Sequence, residues 1–595
     1  MTAYAAPLRD MQFVYHELHG LDALAELPGY EEATPDIIDA VLEEAGRFCS
    51  EVLAPLNRSG DEQGCQLEAD GTVRTPDGFV DAYAQFVNAG WNTLSSAPEY
   101  GGQGLPHALD LMVQEMISAA NMAFGMYPGL TEGAVNALEA HGSDTLRATY
   151  IEPLVLGRWA GTMCLTEAQA GTDLGLLRTR AQQRDDGSYA IDGTKIFISA
   201  GDHDLTENIV HLVLARLPEA PPGVKGISMF IVPKFLPGAD GGLGDRNAVS
   251  VGSLEHKMGI RASATCVLNF DGATGWLVGE PHGGLRAMFT MMNAARIFVG
   301  VQGLGVAETA YQRAATYARE RLQGRAMKGA AAPDQVADPL TVHPDVRRML
   351  LTMRAYVEGG RALEAWVSSA LDTAQKHPDM ARRSEADDFV ALMTPIVKAL
   401  LTDLGSEVTN LGVQVYGGHG YIREHGMEQL VRDARITQIY EGANGIQALD
   451  LVGRKLPAHF GRHLRTFFQP VQAYVEAHAG DPAMAPYVEP LAKAFARLQR
   501  ATLWVATRGL ADPEEAAAAA SDYLRLFGLV AFAYLWARAA EVAMTRLDGD
   551  EHDFYQAKLD TAQFFMARLL PQSGALFAAL MSGAASVMRF DANQF

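Results

Sequence analysis

Apolar residues recur at helical spacing through the first quarter of the chain. After Thr34-Pro35-Asp36, a helix-opening triplet, Ile37, Val41, Ala45 and Cys49 are expected on one face of a helix with a period of about 3.6 residues. The Gly/Pro-rich stretch SAPEYGGQGLP interrupts the pattern, and ALDLMVQEMISAANMAFG resumes it. Between Gly161 and Gly284 the texture changes to short β-branched or alternating runs, SYAIDGTKIFISA, NIVHLVLARL, GISMFIVPKF and CVLNFDG, separated by Gly, Pro and Asp turns. From Leu285 onward long Ala- and Met-rich periodic segments return, with GRAMKGAAAPDQVADP as the one long loop. The pattern predicts an α+β fold with an N-terminal helical domain (1–160), a mainly β middle domain (161–284), an antiparallel helix bundle (285–456) and a further C-terminal helical domain (457–595). No short-period repeat is visible, which excludes solenoids and propellers. The most apolar late run, Leu526–Ala537, falls well short of the roughly 20 residues that cross a bilayer, and is read as a buried helix.

A chain of 595 residues that is 48% hydrophobic is too large for one core and is expected to divide into domains. Its net charge of -23, with no basic tract, excludes a general nucleic-acid or membrane-surface binder, so any anionic ligand must meet local cations. Cys49, Cys65, Cys164 and Cys266 are far apart and form no CxxC or Cys/His cluster, so neither a metal site nor a disulfide framework is expected. The opening MTAYAAPLRDMQFVYHEL has neither secretory nor transit-peptide character, which gives a cytoplasmic expectation.

Several stretches could carry chemistry. In RDARITQIYEGANGIQ, Glu441 sits between an aromatic ring and a glycine, just before a helix, and reads as either a loop carboxylate or a poised base. CLTEAQAGTDLG reads as a strand entering a turn whose hydroxyls and amides could cradle a polar ligand edge. In GTKIFISAG, Phe197 on an alternating strand reads as core, and in LEHKMGIRASATCVLNFD, Arg261 reads equally as a solvated hairpin arginine. Arg296 lies in the apolar MMNAARIFVG, where an unpaired guanidinium would be costly. YGGHGY in QVYGGHGY reads by itself as a turn, with His419 a surface histidine.

Taken together, the order helical, β, helical bundle and the order of these motifs resemble the acyl-CoA dehydrogenase family of flavoenzymes, over about residues 35–456. The opening segment and the extra helical tail are similar to its large bacterial members. The resemblance implies a middle β-barrel or sandwich domain and a four-helix bundle, FAD as cofactor and an acyl-CoA thioester as substrate. It places Thr166 beside the isoalloxazine, Thr172 near the pyrophosphate, and Phe197 and Ser199 at positions where the family has Trp and Thr. Arg261, Ser263 and Arg296 match residues that meet the CoA moiety. Arg321, Gln323, Gln414, Gly417 and Gly418 match residues that reach the flavin of a neighbouring protomer, which implies at least a homodimer. Ala168, Gly324, Ala443 and Gly445 depart from the family pattern.

The family places its base either in the Tyr-Glu-Gly motif or immediately before the arginine matched by Arg296. That second position is Ala295, which leaves Glu441 to abstract the α-proton while the β-hydride passes to flavin N5. Electrons would pass to an electron-transfer flavoprotein. The implied setting is medium- or long-chain fatty acid β-oxidation. The alternative substrate is 3-methylmercaptopropionyl-CoA, in dimethylsulfoniopropionate breakdown; an acyl-CoA oxidase or a flavoprotein scaffold stands further off.

Overall fold

The computed structural model describes residues 4–238 and 241–595, so the first three residues of the opening segment lie outside the described part. The helices that matter below are α1 (Pro35–Phe48), α2 (His107–His141), α3 (Gly284–Glu320), α4 (Pro344–Lys376), α5 (Met380–Tyr416), α6 (Met427–Thr437) and α7 (Asn444–Asp450). They are followed by α8 (Arg462–Ala477), α9 (Ala485–Ala511), α10 (Pro513–Met544) and α11 (His552–Phe564). Between α2 and α3 lie β1 (Trp159–Cys164), β2 (Arg180–Gln183), β3 (Tyr189–Ser199), β4 (Asn208–Arg216), β5 (Ile227–Pro233), β6 (Val249–Leu254) and β7 (Thr265–Val278). Contacts divide the chain into two compact units. One joins the described part of Met1–Gly46 to Pro106–Ala119 and Val299–Phe595; the other joins Arg47–Leu105 to Ala120–Phe298. The four-way division read from the sequence follows element type, whereas contacts cut through α2 and α3.

The cut in α2 has a local cause. Asn121 leaves the helical region (φ -159°, ψ 87°). Its Oδ1 accepts the Phe124 amide at 3.1 Å, which caps a second helical segment inside what the apolar period reads as one helix. On α1 the buried positions are Ile38, Leu42, Ala45 and Gly46, while Ile37 is 45% exposed. Steps of four residues drift by about 40° each around a helix, so of the expected Ile37-Val41-Ala45-Cys49 stripe Ala45 and Cys49 are buried, whereas its Ile37 start lies off the face of the 4-3-4 set Ile38, Leu42, Ala45 and Cys49.

In the second unit, β7, β3, β2, β4 and β5 form a closed circuit, since β5 pairs with both β4 and β7. β6 is added beside β7, and β1 runs parallel to β4. β4 is buried along its whole length except Arg216, and β5 throughout, as continuous apolar runs of central strands should be. The later part of α2 and the start of α3 close the core, with Leu138, Tyr150, Trp159, Leu212, Ile231 and Met291 in one cluster.

In the first unit, α3, α4 and α5 pack together with α10, whose run Leu526–Ala537 is entirely buried as expected. The apolar windows of α5 and α10 are each 83% buried, the pattern of core helices. Glycine fixes how closely α3 and α5 approach: a Cβ at Gly303 would lie 2.8 Å from the Leu401 carbonyl oxygen, and one at Gly405 2.6 Å from that of Gly303. A buried ion cluster ties the terminal segments to this bundle. Arg361 donates to Glu115, Glu308 and Asp10, and Lys558 on α11 donates to Asp10 and, at 2.7 Å, to Glu358.

Candidate active site

Glu441 lies in the connection between α6 and α7, and its backbone is left-handed (φ 56°), as is that of Gly442 (φ 86°). A non-glycine residue in that region costs about a kilocalorie per mole or more and persists only where its surroundings impose it. Here they do. One turn of α5 grips the loop: Lys398 Nζ donates to the Gly442 carbonyl at 3.0 Å and to Asn444 Oδ1 at 2.8 Å. Asn444 Nδ2 in turn reaches Asp403 Oδ1 (2.7 Å), Thr402 Oγ1 (2.9 Å) and the Ala399 carbonyl (3.2 Å). From the other side Gln447 Nε2 donates to the carbonyls of both Glu441 and Gly442 at 3.2 Å. The Tyr440 hydroxyl donates to Gln302 on α3, and burial, with Glu441 and Asp433 nearby, holds it far above its ordinary ionisation range. Glu441 itself is half-buried. The result is a carboxylate presented from an over-determined turn, which a solvated loop residue would not need.

Arg321, Gln323, Gln414, Gly417 and Gly418 gather at one end of the same unit, all exposed. The ends of α3 and α5 adjoin there, with the rings of Tyr317 and Tyr416 stacked 4.0 Å apart and the Tyr317 hydroxyl 2.9 Å from His419 Nδ1. Gly417 (φ 60°) and Gly418 face open space, since a Cβ on either would meet no atom within 4 Å. The predicted long loop is real but ordered. Asp338, fully buried, accepts the amides of Ala326, Ala331 and Ala332 at 2.8, 3.0 and 2.7 Å. Those amides hold its carboxyl well below the usual range, and the loop in turn holds Gln323, whose amide donates to the Asp338 carbonyl at 2.9 Å. Along α5, Lys398 and Gln414 are about 24 Å apart at about 1.5 Å per residue, so this exposed end and the Glu441 turn are separate places.

In the second unit the loop after β1 is anchored from below. Glu167 accepts Lys195 Nζ at 2.8 Å, the Thr179 amide at 3.0 Å and hydroxyl at 2.6 Å, the Arg178 amide at 2.7 Å and Gln169 Nε2 at 2.6 Å. Burial would raise the Glu167 carboxyl, but Lys195 and these donors outweigh it and hold the group at about 2. Thr166 is half-buried on this loop and its carbonyl accepts the Ile196 amide at 2.9 Å, while Thr172 is exposed. Phe197 is not core. The register of β3 against β7 shifts between Cys266 and Leu268, so Ile196 and Phe197 together oppose one residue. Phe197 takes φ 59° and turns out to 59% exposure. Ser199 is half-buried at the end of β3.

Arg261 is partly exposed, with its Nε 3.9 Å from Asp61. Ser263 does not fit the expectation placed on it: the residue is fully buried and its hydroxyl enclosed, because Tyr127 and Lys257 fix the hairpin through Ala262, Ala264 and Ser263 backbone atoms. Arg296 is buried on α3, donating to Asn293 Oδ1 at 3.3 Å, its guanidinium 5.7 Å from the Phe289 ring centre; Ala295 beside it is also buried. Sequence reasoning missed the residues that hold these features, Lys398, Asn444, Gln447, Gln302, Glu167 and Lys195. A lone lysine inside the apolar TPIVKALL was the one available signal.

Comparison with known proteins agrees with this arrangement. The acyl-CoA dehydrogenase N-terminal, middle and C-terminal domain families match residues 36–158, 162–273 and 282–456, and an acetyl-CoA dehydrogenase C-terminal-like family matches 467–591. The 3-methylmercaptopropionyl-CoA dehydrogenase of Ruegeria pomeroyi is 46% identical over 96% of this chain and 97% of its own. The broad-specificity linear acyl-CoA dehydrogenase FadE5 of Mycobacterium tuberculosis is 34% identical over 96% of each. An acyl-CoA dehydrogenase of Bacillus anthracis, solved in complex with FAD, superposes with a TM-score of 0.73 at 20% identity, covering 94% of this chain and 90% of that one. The chain therefore belongs to the acyl-CoA dehydrogenase family.

Proposed function

We propose that the protein uses FAD to dehydrogenate a short, straight acyl-CoA at its α and β carbons, with 3-methylthiopropionyl-CoA as the substrate of choice and Glu441 as the base. The observation that carries the reading is the left-handed Glu441–Gly442 turn, imposed by α5 and Gln447. The α-hydrogen of a thioester is a weak acid, so its removal needs a carboxylate held at a fixed place and out of bulk water. Glu441 is carried by a held turn and its Oε2 is enclosed, and Ala295 offers no rival carboxylate.

The chain's residues suit the cofactor. Phe197 presents an aromatic face from a left-handed bulge, Thr166 and Ser199 offer hydroxyls nearby on β3 and the loop bonded to it, and Glu167 with Lys195 makes that loop rigid. Arg321, Gln323, Gln414 and the two open glycines offer donors and close backbone approach for a second, diphosphate-bearing portion, which favours a homodimer in which each chain completes its partner's flavin. When bound, FAD supplies the two-electron acceptor for the hydride leaving the β-carbon. Glu441 takes the α-proton onto its carboxylate, and Arg296 and Arg261 are the cations available to CoA in a chain of net charge -23. An electron-transfer flavoprotein as acceptor and a cytoplasmic setting complete the proposal.

Packing supports the chain-length part of the reading. The small residues of GLTEGAVNALEAHG could have opened a deep cavity for a medium or long chain. Instead, a Cβ at Gly129 would lie 2.5 Å from the Phe298 ring and one at Gly133 2.8 Å from Met291 Cγ, so side chains from α3 already occupy that space. The short acyl group of the Ruegeria relative's named substrate suits this filling. Purified enzyme assayed anaerobically against acyl-CoAs of four to eighteen carbons and 3-methylthiopropionyl-CoA tests the reading. The highest kcat/KM is expected among the short chains, with the matching trans-2-enoyl-CoA as product. Preference for twelve carbons or more overturns the substrate class, and peroxide formed in air at the rate of turnover would make it an oxidase.

A further inference from the structure

Lysine is seldom fully buried, and an ammonium enclosed in protein loses hydration worth several kilocalories per mole unless its surroundings replace it. Lys398 has no exposed surface, lies in the middle of α5, and points at the loop that presents Glu441 from a left-handed turn. Two of its contacts are neutral oxygens of that loop, the Gly442 carbonyl and Asn444 Oδ1. Its helix cannot yield, because Gly303 and Gly405 bring the α3 and α5 backbones into contact beside it. We infer that Lys398 is the positioning residue for the base: it holds the carbonyl of Gly442, the residue after Glu441, and brings a positive charge to the turn that presents the catalytic carboxylate. This rests on the reading of Glu441 as base.

Two consequences follow from the geometry. The first is steric. With Gly442 O held by Lys398 Nζ and Gln447 Nε2, and Glu441 O held by Gln447 Nε2, the two peptide planes that follow Glu441 are set from their carbonyl sides. The backbone that presents the Glu441 side chain is thus held before substrate arrives. The second is electrostatic. The other ionisable groups around this turn include Asp403 on α5, Asp433 on α6, the Tyr440 hydroxyl and, through Gln438, Arg435 on α6. Lys398 is a cation bonded directly to the turn, and its charge favours the ionised, proton-accepting form of Glu441.

The test separates the base from its support. A 3-thia-acyl-CoA has exchangeable α-hydrogens but, with sulfur at the β position, no β-hydride to lose. Its α-hydrogen exchange in D2O, followed by proton NMR on the flavin-loaded enzyme, therefore reports proton abstraction without redox chemistry. Lys398→Met is expected to keep wild-type flavin content and melting behaviour. Its exchange should slow about 100-fold, KM should stay within about threefold, and the acid limb of the exchange profile should move up by about one pH unit. Lys398→Gln retains a neutral donor on a side chain one bond shorter, without the charge. It is expected to recover much of the rate while keeping the displaced limb, and it carries the test if Lys398→Met does not fold. A folded Lys398→Met with wild-type exchange, or a Lys398→Gln whose acid limb is that of the wild type, overturns the inference. Glu441→Gln, measured alongside, should abolish exchange. If it does not, the assignment of the base has failed, whereas loss in Glu441→Gln with wild-type behaviour in both Lys398 variants removes Lys398 alone.

Discussion

Replacing Lys195 by methionine should both destabilise the protein and loosen its hold on flavin. Lys195 is fully buried and Glu167 is 5% exposed, and they meet at 2.8 Å under the loop that carries Thr166. Lys195→Met leaves a buried carboxylate without its countercharge, an event that costs about 3–5 kcal/mol in buried pairs. Four donors remain on Glu167, from Gln169, Arg178 and both the amide and hydroxyl of Thr179, so the loss belongs at the lower end, about 3 kcal/mol. Lys195 also donates to the Leu165 carbonyl at 2.9 Å, the residue preceding Thr166, so flavin content per chain should fall with stability. Urea unfolding followed by circular dichroism gives the first quantity and visible absorbance of the purified protein the second. The double variant Glu167→Gln/Lys195→Met removes both charges and should be at least about 1 kcal/mol more stable than Lys195→Met alone. A Lys195→Met protein within about 0.5 kcal/mol of wild type with full flavin content would refute the reasoning, as would a double variant less stable than the single one.

Two further predictions concern acid stability and chain length. Burial first, and Lys234 second, depress His203 and His211 to about 3, so both fold as neutral rings. A depressed folded value means their contribution is complete above the unfolded value near 6.5 and is lost as pH falls toward 3, at up to about 1.4 kcal/mol per pH unit for each ring. The urea midpoint should fall steeply below pH 6, and His211→Gln should flatten that slope by about one proton; an unchanged slope counts against it. Phe298→Ala clears the ring lying against Gly129. It should cost about 3 kcal/mol and raise the kcat/KM ratio of octanoyl-CoA to 3-methylthiopropionyl-CoA by about tenfold or more, and a constant ratio would detach this ring from chain-length selection.

Much of the fold was legible because its elements are written in period. The β texture from Gly161 and the long periodic segments after Leu285 correspond to the strand circuit and to α3, α4 and α5. What periodicity could not convey were breaks and faces. Asn121 interrupts an apolar helical pattern through a side-chain cap, and a 4-4-4 stripe on α1 looked as good as the 4-3-4 stripe that is buried. Phe197 illustrates the same limit on a strand, where one bulge reverses which side a ring faces.

The candidate site divides in the same way. Glu441 and the two open glycines of YGGHGY could be named because chemistry-bearing residues lie within short motifs. Their supports could not, since Lys398 and Gln302 come from helices far away in sequence and touch the Glu441 turn only after folding. Ser263 shows the reverse error: a residue inside a matching motif whose hydroxyl the hairpin encloses.

The central claim, that Glu441 is the base of a flavin-dependent acyl-CoA dehydrogenation, is most directly tested by anaerobic stopped-flow mixing of the Glu441→Gln enzyme with 3-methylthiopropionyl-CoA. The amide is nearly isosteric but cannot accept the α-proton, so the variant should retain flavin and bind substrate yet reduce its flavin at least about 1,000-fold more slowly than wild type. Bleaching of the flavin at the wild-type rate would contradict the account.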